Sequence, residues 1–211
     1  MKKILIVCAM EKEGIQIAEK LGMKKIDKGL YENEDGSERM LITLIGKQLT
    51  AISLTNYLCK NDKPDLIINV GYAGSTDIQI GKWVNISKAY NYEWDIPGEE
   101  KYVMLAGGSQ ELELIENADI ETVECYSSES FVTETNIKEH VAFDMEVHSI
   151  ALICDINNIP LLAFKKISDN LSLDKYYQNL SKDEIFELTS WIEFLHNFMT
   201  STTLKTGGLN L

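Results

Sequence analysis

Apolar residues in this chain fall into short unbroken runs, separated by stretches in which they recur every three or four positions. Residues 4–9 and 161–164 are continuous apolar runs too short for a buried helix, and 66–70 is another, interrupted only by Asn69. They read as strands covered on both faces. Residues 12–21 carry Ile15, Ile17, Ala18 and Leu21 at helical spacing, with Gly22 as the C-terminal cap. Lys47–Lys60 reads as a second helix with Leu49, Ala51, Ile52 and Leu58 inward. After Glu146, the positions Val147, Ile150, Ala151 and Cys154 form a helical stripe that ends at Asn157-Asn158. Ser181-Lys182-Asp183-Glu184 has the form of a capping box. It opens a predicted terminal helix with Ile185, Leu188, Ile192, Leu195 and Met199 on one stripe, and a frayed tail follows.

The turn sequence Asn33-Glu34-Asp35-Gly36 predicts a hairpin over residues 28–46 whose second strand covers 40–45. Residues 82–87 and 122–126 are further strand candidates, and 90–97 reads as an aromatic-rich loop. Strands and helices alternate with neither repeats nor linkers. This predicts one α/β domain over residues 1–211 with a largely parallel central sheet.

Three acidic residues follow strand-like runs: Glu13 after the first, Glu146 after Phe143-Asp144-Met145, and Asp169 after Ile167-Ser168. Ligands of open α/β sheets bind at the carboxyl ends of strands. Three carboxylates there point to acid/base chemistry on a neutral, hydroxyl-rich or nitrogenous small molecule. Gly71 and Gly74 end another strand, where glycine allows positive φ and close approach to a ligand.

Composition narrows the picture. The chain has 211 residues, 45% of them hydrophobic, and a net charge of −13, and Arg39 is its sole arginine. An acidic surface without a basic stripe excludes nucleic acid and anionic membrane as expected partners. Cys8, Cys59, Cys125 and Cys154 lie in or beside apolar runs without a CxxC pair and read as buried free thiols of a reducing compartment. His140, His148 and His196 lack metal-ligand spacing, so no metal is expected. His148 reads as exposed or satisfied, and Trp83, Trp94 and Trp191 as packing residues. The N-terminal apolar run is broken by Glu11 and Glu13 with no cleavage site after it, and no run approaches the ~20 residues of a membrane span. A cytoplasmic protein is expected.

The ordered segments Ala9-Met10-Glu11-Lys12-Glu13, Ile45-Gly46-Lys47, residues 64–74, Phe143-Asp144-Met145-Glu146 and Ile167-Ser168-Asp169 resemble the methylthioadenosine/S-adenosylhomocysteine nucleosidases of the purine nucleoside phosphorylase superfamily. The resemblance spans nearly the full length. It implies a single three-layer α/β/α domain around a twisted mixed sheet, a homodimer, a nucleoside substrate and no cofactor. It also implies roles. Glu13 falls on the water-activating glutamate and Glu146 on the one that holds the ribose hydroxyls. Met145 falls under the ribose, and Asp169 on the aspartate that protonates purine N7, with Ser168 beside it. Phe131 stacks on the base, and Val132 pairs with its edge through the backbone. Met10, Ile45, Ala73 and Gly74 complete the substrate-binding set.

Such residues suit N-glycosidic cleavage. An acid at N7 removes the charge that develops on the leaving purine, a base takes a proton from water, and a carboxylate orients the ribose. Phosphorolysis remains an alternative, although a phosphate site commonly uses arginine. A nucleoside-binding protein with little catalysis is another. The chain departs from the family's pattern at three positions and in one segment. Tyr72 and Ser75 replace small residues, Lys165 stands where arginine is usual, and residues 89–107 form a shorter segment in the region that helps cover the 5′-substituent.

Overall fold

The structure, a computed structural model, describes residues 3–95, 97–98, 109–111 and 120–192. The first apolar run forms β1 (Ile4–Cys8) and leads into α1 (Glu11–Lys20). Strands β2 (Lys24–Asp27), β3 (Leu30–Glu32) and β4 (Glu38–Ile42) make an antiparallel meander, which α2 (Lys47–Lys60) follows. Then come β5 (Leu66–Gly74), β6 (Trp83–Asn91), β7 (Ser109–Glu111), β8 (Glu121–Ser127) and β9 (Val141–Asp144). The chain continues through α3 (Val147–Asn157), β10 (Leu161–Asp169), α4 (Leu173–Asn179) and α5 (Asp183–Phe186).

All ten strands of the described residues join one mixed sheet. Its longest ladders run parallel: β1 lies between β4 and β5, β10 follows β5, and β6, β8 and β9 run side by side. Side-chain alternation divides the core between the two faces. Leu5, Val7 and Ile67 face Leu54 of α2 and Ile150 of α3. Ile4, Ile6, Ile68 and Val70 face Ile17 of α1 together with Trp191. Helices therefore cover both faces, the three-layer arrangement that the resemblance implies.

One feature was not expected from the sequence. β10 pairs with β6 on its far edge, and β9 returns to β5 through the antiparallel pair Gly74–Phe143. β5 is thus shared by an open wing and by a closed ring of β5, β10, β6, β8 and β9. β1 accompanies β5 only as far as Asn69, and β9 joins it only at Gly74. The backbone between those points lacks a strand partner on that edge, and a cavity opens there.

Several local expectations need correction. Helix α2 buries Thr50, Leu54 and Tyr57, while Leu49 and Ile52 are 45% and 59% exposed. Thr50 Oγ1 bonds to Thr43 Oγ1 and the Leu44 carbonyl, which turns that stripe inward. On α1, Ile15 is exposed and Glu13, Gly14, Ile17 and Ala18 are buried. The hairpin strand stops at Ile42, because Leu44 takes a left-handed backbone conformation, with φ at 75°. Strand β6 runs through Asn91, into the segment read as a loop.

The terminal helix also differs. α5 ends after one turn, and Ser181 Oγ donates to the Gln178 carbonyl instead of capping. Tertiary bonds end the helix: Lys166 Nζ donates to the Glu184 and Glu187 carbonyls, and Tyr72 Oη to that of Phe186. Ile185, Leu188 and Ile192 are buried, whereas Leu195 and Met199 lie outside the described residues, as do His196 and most of 96–107. Cys59 is exposed, unlike the other three thiols, and His148 is buried.

The burial pattern on α1 makes a stability prediction. Ile17→Ala costs about 2–5 kcal/mol of unfolding free energy, whereas Ile15→Ala changes it by no more than ~0.5 kcal/mol. Urea midpoints of the two variants check this.

Candidate active site

A cavity of about 240 Å³ lies where β1, β5, β9 and β10 end. Every site residue singled out in the sequence lines it: Glu13, Glu146 and Asp169, with Met10, Ile45, Ala73, Gly74, Phe131, Val132, Met145 and Ser168. The convergence follows from topology. Parallel β1, β5 and β10 present their carboxyl ends on one side, which brings Glu13 and Asp169 together, and the antiparallel return of β9 to the end of β5 at Gly74 brings Glu146 beside them.

Glu13 sits in the first turn of α1 and is buried. Its carboxylate turns back over the helix start. Oε2 accepts from the N–H groups of Ala9 (3.1 Å) and Met10 (2.8 Å), and Oε1 from that of Tyr72 at 3.3 Å. The Tyr72 N–H is one of those left without a ladder partner where β1 and β9 part. Burial raises the Glu13 pKa, and the three N–H donors and the Lys165 charge oppose it.

Glu146 is the N-cap residue of α3. Its Oε1 accepts from the N–H of Gly46 at 2.9 Å, which lies at the start of α2. Gly46 has φ of 100°, which favours glycine, and an added Cβ would meet Glu129 at 2.9 Å. Burial and then the neighbouring Asp144 charge push the Glu146 pKa up to about 8.

Asp169 closes β10. Its Oδ2 lies 2.8 Å from the Ser168 hydroxyl, and Oδ1 accepts from Ser172 N–H at 3.2 Å. Burial raises its pKa above the ordinary carboxylate value.

The glycines of β5 act differently from expectation. Neither Gly71 nor Gly74 has positive φ. What each provides is space. A Cβ on Gly71 would sit 2.8 Å from Glu13 Oε1 and 3.5 Å from Lys165 Nζ, and one on Gly74 would sit 3.0 Å from Asp169 Oδ1. The close approach is made by the protein's own acidic groups.

Of the departures, Tyr72 lines the cavity without plugging it, since its hydroxyl is drawn away to the Phe186 carbonyl at 2.7 Å. Ser75 is a strut: its hydroxyl donates to the Val141 carbonyl and accepts from Ile78 N–H. Lys165 is buried and paired with Asp144 at 2.9 Å.

Tyr176, Tyr177 and Leu173 of α4 also line the cavity, and the sequence reading missed that helix. Tyr176 meets the Phe131 ring edge-on at 5.6 Å, and its hydroxyl reaches Met10 Sδ at 3.5 Å. Ser172, which caps α4 by accepting from Lys175 N–H, was the available signal.

Comparison with known proteins now places the chain. Residues 3–201 match the family model described as the phosphorylase superfamily. The chain belongs to that superfamily. A curated relative, the 5′-methylthioadenosine/S-adenosylhomocysteine nucleosidase of Bacillus pumilus, is 26% identical over 219 residues, covering 83% of this chain and 92% of that protein. Among solved structures, a putative nucleosidase of the same name from Francisella philomiragia superposes with a TM-score of 0.79. It is 21% identical, over 96% of this chain and all of that one. The futalosine hydrolase of Helicobacter pylori superposes with a TM-score of 0.77 at 17% identity, over 95% of this chain and 98% of that one. These superpositions establish the superfamily fold.

The Glu146 environment gives a pH prediction. Its pKa rises from 4.5 to about 8 on folding, so the folded state holds the extra proton between those values. Its contribution to stability is present below pH 4.5 and is lost as the pH climbs towards 8. Glu146→Gln therefore shows a smaller fall in unfolding free energy across that window, measured by denaturant titration at each end.

Proposed function

We propose that the protein is an N-ribosyl hydrolase that cleaves the glycosidic bond of purine nucleosides, with 5′-methylthioadenosine and S-adenosylhomocysteine as its substrates, and releases adenine. One observation carries this reading: Glu13, Glu146 and Asp169 converge on a single cavity with different partners around each. The curated relative bears the same activity in its name.

The roles follow from the surroundings. Asp169, whose pKa burial raises, gives its proton to purine N7 as the bond to C1′ breaks. The Ser168 hydroxyl has two acceptors within reach, Asp169 Oδ2 at 2.8 Å and the Ala73 carbonyl at 3.2 Å, and holds the acid in place from that side. Phe131 stacks on the base, and Val132 meets its edge. Glu146 accepts from the ribose hydroxyls, and Met145 packs beneath the sugar. Glu13 removes a proton from the water that adds to C1′. Its three N–H contacts keep the carboxylate fixed and turned to the cavity. Electrostatic orientation of this kind and general acid/base steps each contribute about 10²–10⁴-fold.

Water is favoured over phosphate as the nucleophile. Lys165 is already engaged by Asp144, with 2% of its side chain exposed. Arg39 is committed to Glu32 and Asn61 in the hairpin wing. Neither cation is offered to an anion in the cavity.

The chain works as one domain over residues 1–211, and as a homodimer. Leu44, Ile45, Leu49, Ile52 and Ile156 are exposed on or beside α2 and α3, and Ile45 also lines the cavity. A second copy covers this apolar face. The acidic surface and unpaired thiols suit the cytoplasm, and release of adenine suits purine and methionine salvage.

Two tests follow. In phosphate-free buffer the protein releases adenine from 5′-methylthioadenosine, and Glu13→Gln and Asp169→Asn each lower kcat by at least about 10²-fold. Variants with wild-type rates end the assignment. The pH profile of kcat/KM is a bell, falling on the acid side as Glu13 gains a proton and on the alkaline side as Asp169 loses one. Burial moves both limbs to higher pH than the unperturbed carboxyl groups would give. For the dimer, a Leu49→Glu/Ile52→Glu variant sediments at half the mass of the wild type.

A further inference from the structure

Asp144 lines the cavity and forms a buried ion pair with Lys165 that the chemistry above leaves without a role. Asp144 ends β9, two residues before Glu146, and its side chain is wholly out of solvent. Its acceptor positions are taken. Oδ1 accepts from Ser127 Oγ at 2.5 Å and Cys125 Sγ at 3.5 Å, and Oδ2 from Val147 N–H and Lys165 Nζ, each at 2.9 Å. Ser127 Oγ is itself fixed by the N–H of His148 at 2.9 Å. The Lys165 ammonium and Glu13 Oε1 both lie within 3.5 Å of the space that a Cβ on Gly71 would fill. The cation therefore touches Asp144 and has the Glu13 carboxylate close by.

Stability does not explain this arrangement. Desolvating two charges offsets most of their attraction, and apolar replacements of a buried pair are often neutral or stabilising. Asp144 also opposes ionisation of Glu146. Its value lies in where it keeps Lys165. A four-carbon stem released from Asp144 would let the ammonium pair directly with Glu13 or Glu146 and lower the basicity of either carboxylate.

We propose that Asp144 is a positioning residue: it holds the Lys165 ammonium beside Gly71, so that the positive charge faces the Glu13 carboxylate without capturing it. The role rests on the hydrolase reading, in which Glu13 takes the proton from water. The charged and titratable groups that act on Glu13 include Lys165 from β10, with Cys8, Tyr72, Tyr176 and Glu146 around it. Those acting on Lys165 include Asp144, Glu146, Glu13 and Cys125.

The test compares Asp144→Asn/Lys165→Met, in which both charges are replaced by neutral side chains of similar size, with Asp144→Asn, Lys165→Arg and the wild type. Each is followed by thermal unfolding, by the pH profile of adenine release and by carboxyl carbon NMR titration of Glu13. The double variant is expected to unfold no earlier than the wild type, to lose about tenfold in kcat and to titrate Glu13 about one pH unit higher. Asp144→Asn moves the Glu13 titration and the acid limb the other way, to lower pH. Lys165→Arg keeps the wild-type acid limb. A folded double variant with an unchanged Glu13 titration and unchanged kcat overturns the proposal. If the double variant does not fold, an unshifted Glu13 titration in Asp144→Asn overturns it. A shifted Glu13 titration in a protein that releases no base from any nucleoside sinks the hydrolase assignment and leaves the pairing in place.

Discussion

The Glu13 carboxylate lies out of water among the N–H groups of Ala9, Met10 and Tyr72, with the Lys165 ammonium nearby. Burying a carboxylate costs several kcal/mol unless hydrogen bonds and an opposite charge offset it. Much of the local architecture serves that need. β1 must end early enough for its chain to turn over the sheet edge, β5 must expose an unpaired N–H, and residue 71 must lack a side chain. Each condition is local in the fold and remote in the sequence, since Glu13 and Tyr72 are 59 positions apart.

β5 is where these demands meet. It carries the parallel ladders to β1 and β10, and at Gly74 it also closes the ring through β9. Glu13 approaches it at Gly71 and Asp169 at Gly74. Glu146 is held from further off, by the N–H of Gly46. The three acids thus reach one cavity in unlike settings. Glu13 is surrounded by N–H donors, Glu146 has one such donor and a like charge nearby, and Asp169 leans on a hydroxyl. Unlike settings separate the protonation states of like groups, which is what acid and base roles in one site require.

The positions that depart from the pattern the sequence resemblance implies gain physical explanations. Tyr72 spans to the Phe186 carbonyl and, with Lys166, fastens the segment that follows α4 to the sheet. Ser75 ties the end of β5 to the start of β9. Lys165, in place of an arginine, is matched by a single carboxylate contact at Asp144, which suits a point charge better than a planar fork.

The apolar runs and helical stripes determined the alternation of strands and helices apart from α4, the two-sided burial of the central strands and the placing of acids at strand ends. These are legible because side-chain periodicity is a local property of the chain. The motif order also placed Glu13, Glu146 and Asp169 at one cavity, through a resemblance that carries a known fold. Hydrophobic spacing misjudged α2, where Leu49 and Ile52 look inward by pattern and Thr50 is turned in by its bonds to Thr43 and Leu44. It also read one helix through α5 and the helical residues 190–192, where Lys166 and Tyr72 interrupt it by taking the carbonyls of Glu184, Phe186 and Glu187. Ring closure, the use of Gly71 and Gly74 as space, and the Asp144–Lys165 pair were decided by tertiary structure alone. Each joins groups distant in the chain, and a hydrogen bond or a missing Cβ leaves no periodic trace in the sequence.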